Sequence, residues 1–129
     1  MHRTLFAIAT TFGLAAVLLG AFGAHGLEGQ VSAERLTVWE TGAHYLGWHA
    51  TTLLVIALLG VERLGPPARI AGWIMAGGAA LFSGSLFLLV LTDTPALGAI
   101  TPFGGLALAA SWGLLLFAAV RGTGPTRCG

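Results

Sequence analysis

Charged side chains are scarce in this sequence. Asp, Glu, Lys and Arg together make up only 9% of its 129 residues, whereas 56% are apolar and the mean hydropathy is +0.86. A soluble domain usually contains about 25% charged residues. Because so few charges cannot cover a folded surface in water, we expect a membrane protein, surrounded by membrane lipids and without a nucleic-acid partner.

Cysteine is almost absent as well. The single cysteine, Cys128, excludes an intramolecular disulfide and any metal cluster built from thiolates. The ending Arg-Cys-Gly does not fit a prenylation box, which needs more residues after the cysteine. We therefore interpret Cys128 as an incidental thiol.

Long apolar runs are what the sequence does contain. A membrane-spanning helix needs about 20 apolar residues, and the runs at 4–22, 43–61, 70–91 and 102–120 come close to that length or exceed it without one Asp, Glu, Lys or Arg. The first run exceeds the core of a signal peptide, about 7–15 residues, so we expect it to be a span. We predict an all-α protein, an integral membrane four-helix bundle that forms a single domain over residues 1–129.

Lysine is missing altogether, so arginine alone carries the charge bias that orients a membrane protein. Arg35 lies on one side of the predicted spans, and the other five arginines lie on the opposite side. This bias predicts that both termini and the middle loop are cytoplasmic and that the chain crosses the cell inner membrane several times. The five are Arg3, Arg63, Arg69, Arg121 and Arg127.

Three local signals predict helix boundaries. Ser32 is a favourable N-cap for a helix that continues into the second span. Pro66 and Pro67 interrupt the chain between the second and third spans. Thr101 and Pro102 are typical of an N-cap followed by the first residue of a helix, which predicts the start of the fourth span.

Small residues recur four apart in the third and fourth predicted spans. Such stripes let helix backbones approach closely in a membrane, where apolar packing alone gives little preference for protein over lipid. We expect the stripes to pack within the chain, and Ala80→Leu to push helices apart. Ser83 and Ser85 are expected to bond to carbonyls of their own helix. The stripes are Gly72, Ala76, Ala80 and Gly84, then Gly105, Ala109 and Gly113.

The stretch GAHYLGWH, residues 42–49, concentrates the reactive side chains. Tyr45 and His49 share one helix face, whereas His44 and His49 lie about 140° apart on a helix and cannot chelate one ion. His25 stands near the end of the first span. We expect His49 to lie in the hydrocarbon zone, neutral and hydrogen-bonded to a neighbouring helix. The candidate functional face therefore consists of Tyr45, His49, His44 and His25.

No metal, haem or other cofactor is expected. The third and fourth spans contain no histidine, and no span contains the carboxylate that a proton-coupled transporter normally buries. The remaining interpretation is a polar collar with an aromatic belt at the membrane interface, formed by Trp39, Tyr45 and Trp48.

Several stretches together resemble a known family. GAFGAHGL, ETGAHYLGWHA, LFSGSLFLLVLT and LGAITPFGGLALAASW occur in the same order in the small four-helix membrane proteins called domain of unknown function 423, which have TMEM-type relatives in eukaryotes. The resemblance covers nearly the whole chain and implies four membrane helices without implying a reaction. The family pattern Tyr-Gln-x-x-His keeps Tyr45 and His49, but this chain has Leu46 in place of the glutamine.

These observations favour a protein that is not an enzyme. The leading hypothesis is an accessory or structural subunit that associates with another membrane protein or with itself. The first alternative is a small transporter or channel formed by self-association, and the second is a quinone- or lipid-binding protein that uses the face of Tyr45 and His49.

Overall fold

The structure is a computed structural model that describes residues 1–122. Arg127 and Cys128, which entered the predictions above, lie outside the described residues. Over the described range the chain is helical, and four of its helices are long and apolar enough to cross a membrane. The prediction of an all-helical protein with four spanning helices is therefore confirmed for this part of the chain.

Each spanning helix is longer than the apolar run that predicted it. Helix α1 covers Arg3–Phe22 and continues as a π-helical segment, Gly23–Leu27. Helix α2 covers Ala33–Val55, and a π-helical segment, Ile56–Gly60, joins it to α3, Val61–Leu64. Helix α4 covers Pro66–Thr92, and a 3₁₀ turn, Pro95–Ala99, precedes α5, Thr101–Arg121.

The predicted boundaries hold with one exception. The Ser32 hydroxyl accepts the N–H of Arg35 at 3.3 Å and caps α2, as predicted. Gly65, with φ of +74°, makes the turn into α4, a conformation that a residue with a β-carbon rarely adopts. Thr101 is not the N-cap of α5. Ile100 occupies that position, and the Thr101 hydroxyl instead lies 2.7 Å from the Ser85 hydroxyl.

Contacts at the two ends show that the spanning helices alternate in direction. The amino group of Met1 pairs with Glu62, and the His2 N–H donates to the Ala57 carbonyl at 2.8 Å, so α1 begins where the second span ends. At the opposite end Arg35, near the start of α2, pairs with an aspartate that follows α4. We call the first of these the arginine end, because it holds Arg3, Arg63, Arg69 and Arg121.

The four spanning helices pack side by side in the order α1, α2, α4 and α5. Helix α2 lies between α1 and α4, and α5 packs along α4 and hardly touches α1 or α2 within the described residues. The fully buried side chains of the core include Leu5, Leu53 and Met75. Helix α5 is therefore attached to the other three helices along one side.

Trp39 is a core residue and does not belong to the interfacial belt, so that part of the prediction is wrong. Its side chain is 1% exposed, its Nε1–H donates to the Leu19 carbonyl at 2.7 Å, and its ring contacts Phe87 at 4.7 Å between centroids. A β-carbon at Gly23 would lie 2.5 Å from the indole. Trp39 can be buried because glycine leaves room for the ring and a carbonyl accepts its only donor.

Candidate functional site

His49 is the most buried of the four histidines and lies on the inner face of α2, 5% exposed. Its Nδ1 lies 2.7 Å from the Tyr45 carbonyl, and its Nε2 lies 3.2 Å from Trp112 Nε1 on α5. An indole nitrogen can only donate, so Nε2 must accept. Nδ1 then carries the proton and donates to Tyr45. Both ring nitrogens of a neutral imidazole are thus satisfied.

The partner of His49 on another helix was not foreseen. A hydrogen bond from His49 to a neighbouring helix was expected, but its partner, Trp112 on α5, was not. No spacing rule connects two residues on different helices that lie 63 positions apart. The available signal was chemical: a buried histidine acceptor needs a donor, and each indole among the spans was a candidate.

Tyr45 lies beside His49, as their spacing predicted. Its ring stacks on Phe82 at 4.5 Å and on His49 at 5.9 Å between centroids, and the residue is half-buried against α4. The aromatic contact fixes Tyr45 between α2 and α4. His49 and Tyr45 therefore form one inward-facing unit.

His44 and His25 are not part of that unit. His44 is exposed on the outer face of α2, where its ring stacks on Trp48 at 6.1 Å. His25 is exposed in the π-helical segment after α1. The proposed face of four residues therefore divides into a buried pair, Tyr45 and His49, and two exposed histidines. Residues 1–122 contain no group of three or more His, Cys, Asp or Glu side chains that could hold a metal ion.

The expectation that the α4 serines bond to carbonyls of their own helix is confirmed for Ser85 and wrong for Ser83. Ser83 is 1% exposed and donates to the Gly42 carbonyl of α2 at 2.7 Å. Ser85 donates to the Phe82 carbonyl on its own helix at 2.9 Å and also lies within hydrogen-bonding distance of Thr101. Ser83 bonds across the interface because glycine at position 42 brings the α2 backbone close to α4.

The two halves of the small-residue stripe on α4 differ in how deeply they are buried. Gly72 and Ala76 are buried, and a β-carbon at Gly72 would lie 2.9 Å from Leu5. Ala80 is exposed and Gly84 is half-buried, and a β-carbon at Gly84 would meet nothing within 4 Å. The first half of the stripe therefore packs within the chain, and the expected effect of Ala80→Leu loses its structural basis.

The contact between α4 and α5 runs beside the predicted stripe on α5. Ala109 and Gly113 are exposed, and a β-carbon at Gly105 would come no closer than 3.8 Å to Phe82. The closest approach is made by Gly104, where a β-carbon would lie 2.5 Å from the Phe82 backbone nitrogen. The four-residue period selected Gly105, because Ala109 and Gly113 follow it, whereas the large residues Leu108 and Trp112 follow Gly104 at the same spacing.

Comparisons with known proteins identify the family. The family model described as Protein of unknown function (DUF423) matches residues 19–105. The chain is 50% identical over 109 residues to the UPF0382 membrane protein YwdK of Bacillus subtilis, which covers 84% of this chain and 89% of that protein. It is 42% identical over 110 residues to the UPF0382 membrane protein SAB0533 of Staphylococcus aureus, with 84% and 88% covered. No solved structure matches.

The family match extends from the end of α1 to the start of α5, which is most of the chain, and includes the whole stretch GAHYLGWH. The relatives are named as membrane proteins, which agrees with the four spanning helices described above. This chain is therefore a multi-pass membrane protein that belongs to the family described as protein of unknown function DUF423.

Proposed function

We propose that this chain is a non-enzymatic accessory or structural subunit that associates with another membrane protein, or with a second copy of itself, through the outer face of α2. We define this outer face by four exposed residues that follow one side of the helix: Thr37, Glu40, His44 and Trp48. The observation that carries the proposal is the exposure of hydrogen-bonding groups on a spanning helix.

Three of these side chains have polar groups without a hydrogen-bond partner among residues 1–122. They are the carboxylate of Glu40, the imidazole of His44 and the indole N–H of Trp48. Lipid tails offer no hydrogen bonds, and polar side chains on spanning helices commonly bond to another helix. A partner helix would supply the donors and acceptors that these groups lack.

The surface beside the outer face allows a close approach. A groove of about 380 Å³ lies between α1 and α2, and its lining includes Gly13, Ala16 and Gly47 together with His44 and Trp48. A β-carbon at Gly13 would meet nothing within 4 Å. Small residues next to polar ones are typical of helix contacts in membranes, so the groove suits a neighbouring helix.

The satisfied state of His49 supports a structural role for the inner face. A proton carrier must bind and release its proton, whereas both nitrogens of His49 are held by Tyr45 and Trp112. Protonation of Nε2 would replace the acceptor with a second donor facing the indole N–H. We therefore assign association to the outer face and packing to the inner face.

Cross-linking at Trp48 tests the proposal. In a Cys128→Ser background, Trp48→Cys tests contact with a second copy by disulfide formation in native membranes, and a photoreactive group at position 48 tests contact with another protein. Leu88, 52% exposed on α4, is the matched control position. We expect one discrete protein adduct from position 48 and only lipid adducts from position 88. Lipid adducts alone at both positions would contradict the proposal.

We also propose that the arginine end is cytoplasmic. Four arginines lie at this end and Arg35 lies at the other, a distribution that supports the orientation through the positive-inside rule. A cysteine introduced at Glu28, at the opposite end, is expected to react with an impermeant thiol reagent on intact spheroplasts. Labelling at Glu62→Cys instead would reverse the orientation.

A further inference from the structure

A second groove lies between α2 and α5, nearer the arginine end than the groove between α1 and α2, and Thr51 lines both. It has a volume of about 570 Å³ and follows the gap that α5 leaves by packing against α4. Thr51, Thr52 and Val55 line its α2 wall, and Trp112, Leu115 and Ala119 line its α5 wall. The hydrogen bond between Trp112 and His49 spans the same gap.

The polar side chains that line this groove offer no free hydrogen-bond donor to a ligand. The Thr51 hydroxyl donates to the Gly47 carbonyl at 3.1 Å, and the Thr52 hydroxyl donates to the Trp48 carbonyl at 3.0 Å. The indole N–H of Trp112 is occupied by His49. A polar headgroup would lose its hydrogen bonds to water there without replacement, so the interior suits a hydrocarbon chain.

The groove ends at the arginine end. Leu64 belongs to its lining, and a β-carbon at Gly122 would lie 3.9 Å from Leu64, so the last turns of α3 and α5 converge there. Arg63 precedes Leu64, and Arg121 precedes Gly122. The salt bridges among residues 1–122 are Met1 with Glu62 and one at the opposite end, so neither arginine forms a salt bridge in the described chain. Arg63 interacts electrostatically with the neighbouring Glu62, and the Arg121 guanidinium lies 4.6 Å from the centre of the Phe117 ring.

From this arrangement we infer that the groove between α2 and α5 binds one anionic phospholipid. An acyl chain lies between Thr52 and Ala119, and the phosphate lies at the arginine end, within reach of Arg63 and Arg121. Guanidinium groups bind phosphate with charge-assisted hydrogen bonds, and anionic lipids are attracted to basic segments next to spanning helices. The site continues along the side of α2 that carries Trp48, one to two turns nearer the arginine end, and Thr51 lines both grooves.

The test compares two lipids with identical acyl chains, phosphatidylglycerol and phosphatidylcholine, added to the purified full chain in mild detergent. Native mass spectrometry counts the lipids retained, and thermal unfolding measures stabilisation. We expect the wild-type chain to retain one phosphatidylglycerol and to unfold at a higher temperature with it, and to hold phosphatidylcholine about tenfold more weakly. Equal retention of the two lipids would overturn the anionic assignment.

Two sets of variants place the lipid. Ala119→Trp and, separately, Thr52→Leu fill the groove and are expected to lose the retained phosphatidylglycerol, whereas Ala110→Trp, exposed on α5 outside the groove, keeps it. The pair Arg63→Gln and Arg121→Gln is expected to abolish the preference for phosphatidylglycerol. Unchanged retention in both groove-filling variants would overturn the site. A wild-type dimer that dissociates in these variants without loss of lipid would assign the groove to a second copy instead.

Discussion

The two sides of α5 are held in opposite ways. Towards α4 the backbones touch, with glycine at position 104 against Phe82 and glycine at position 78 against the backbone of α5. Towards α2 there is a groove, bridged among residues 1–122 by one side-chain hydrogen bond, from Trp112 to His49. Many weak contacts at short range fix the position of α5 along α4, whereas one directional bond fixes its rotation relative to α2.

The difference shows where the chain can tolerate change. A close backbone contact has no room for one additional methyl group, since its atoms cannot retreat without moving a whole helix. A hydrogen bond across a groove can be removed without moving any backbone, at the cost of its own energy. The four predictions that follow test this contrast, beginning with the largest expected effect.

Gly104→Ala should destabilise the protein most. The new β-carbon would lie 2.5 Å from the Phe82 backbone nitrogen, so α4 and α5 would have to separate. Overpacking of this kind typically costs about 1–3 kcal/mol. Thermal unfolding in mild detergent measures the loss. Gly113→Ala on the same helix is the matched control, because its β-carbon would meet nothing within 4 Å. Equal stability of the two variants would show that α5 is not held against α4 at Gly104.

Breaking the bridge from Trp112 to His49 should have a smaller effect. Hydrogen bonds between membrane helices contribute about 0.6 kcal/mol on average and up to about 1.7 kcal/mol. A double-mutant cycle of His49→Ala and Trp112→Phe should give a coupling energy in this range, measured by unfolding in detergent.

Conservative variants of His49 separate a structural role from a role in proton transfer. The carbonyl of glutamine can accept the Trp112 N–H but cannot titrate, so His49→Gln should recover part of the stability that His49→Ala loses. Wild-type stability of His49→Ala, together with loss of a transport activity, would contradict the structural role and favour a transporter.

Ala80→Leu should have the smallest effect. The residue is exposed on α4 and borders shallow grooves, so the larger side chain can extend along the surface without separating helices. Exposed substitutions usually change stability by less than about 0.5 kcal/mol. A loss as large as that of Gly104→Ala would show that a partner helix covers Ala80.

Much of the fold could be predicted because it depends on local composition. Four apolar runs of sufficient length define four spanning helices, and the Ser32 cap follows from hydrogen bonds within one turn. The burial of His49 could also be predicted, since an imidazole inside a span must face protein. These features need no knowledge of which helices become neighbours.

The predictions that were wrong concern residues that contact another helix. Trp39 was expected at the interface because its neighbours in the sequence are polar. It is buried because the Leu19 carbonyl accepts its indole N–H and Gly23 leaves room for its ring. Ser83 was expected to bond within its helix, and it reaches Gly42 instead. In the candidate site, the spacing of four residues predicted that Tyr45 and His49 share a helix face. It could not predict the contact with Trp112, because contacts between different helices produce no regular spacing in the sequence.

Synthesis of the chain proceeds from α1 to α5, and parts of a protein that emerge first generally fold first. The contacts among α1, α2 and α4, including the hydrogen bond from Ser83 to Gly42, require nothing from α5. These three helices can therefore assemble in the membrane while α5 is still being made. Insertion of α5 then adds the remaining connections, among them the close fit at Gly104 and the donor that His49 lacks until Trp112 arrives.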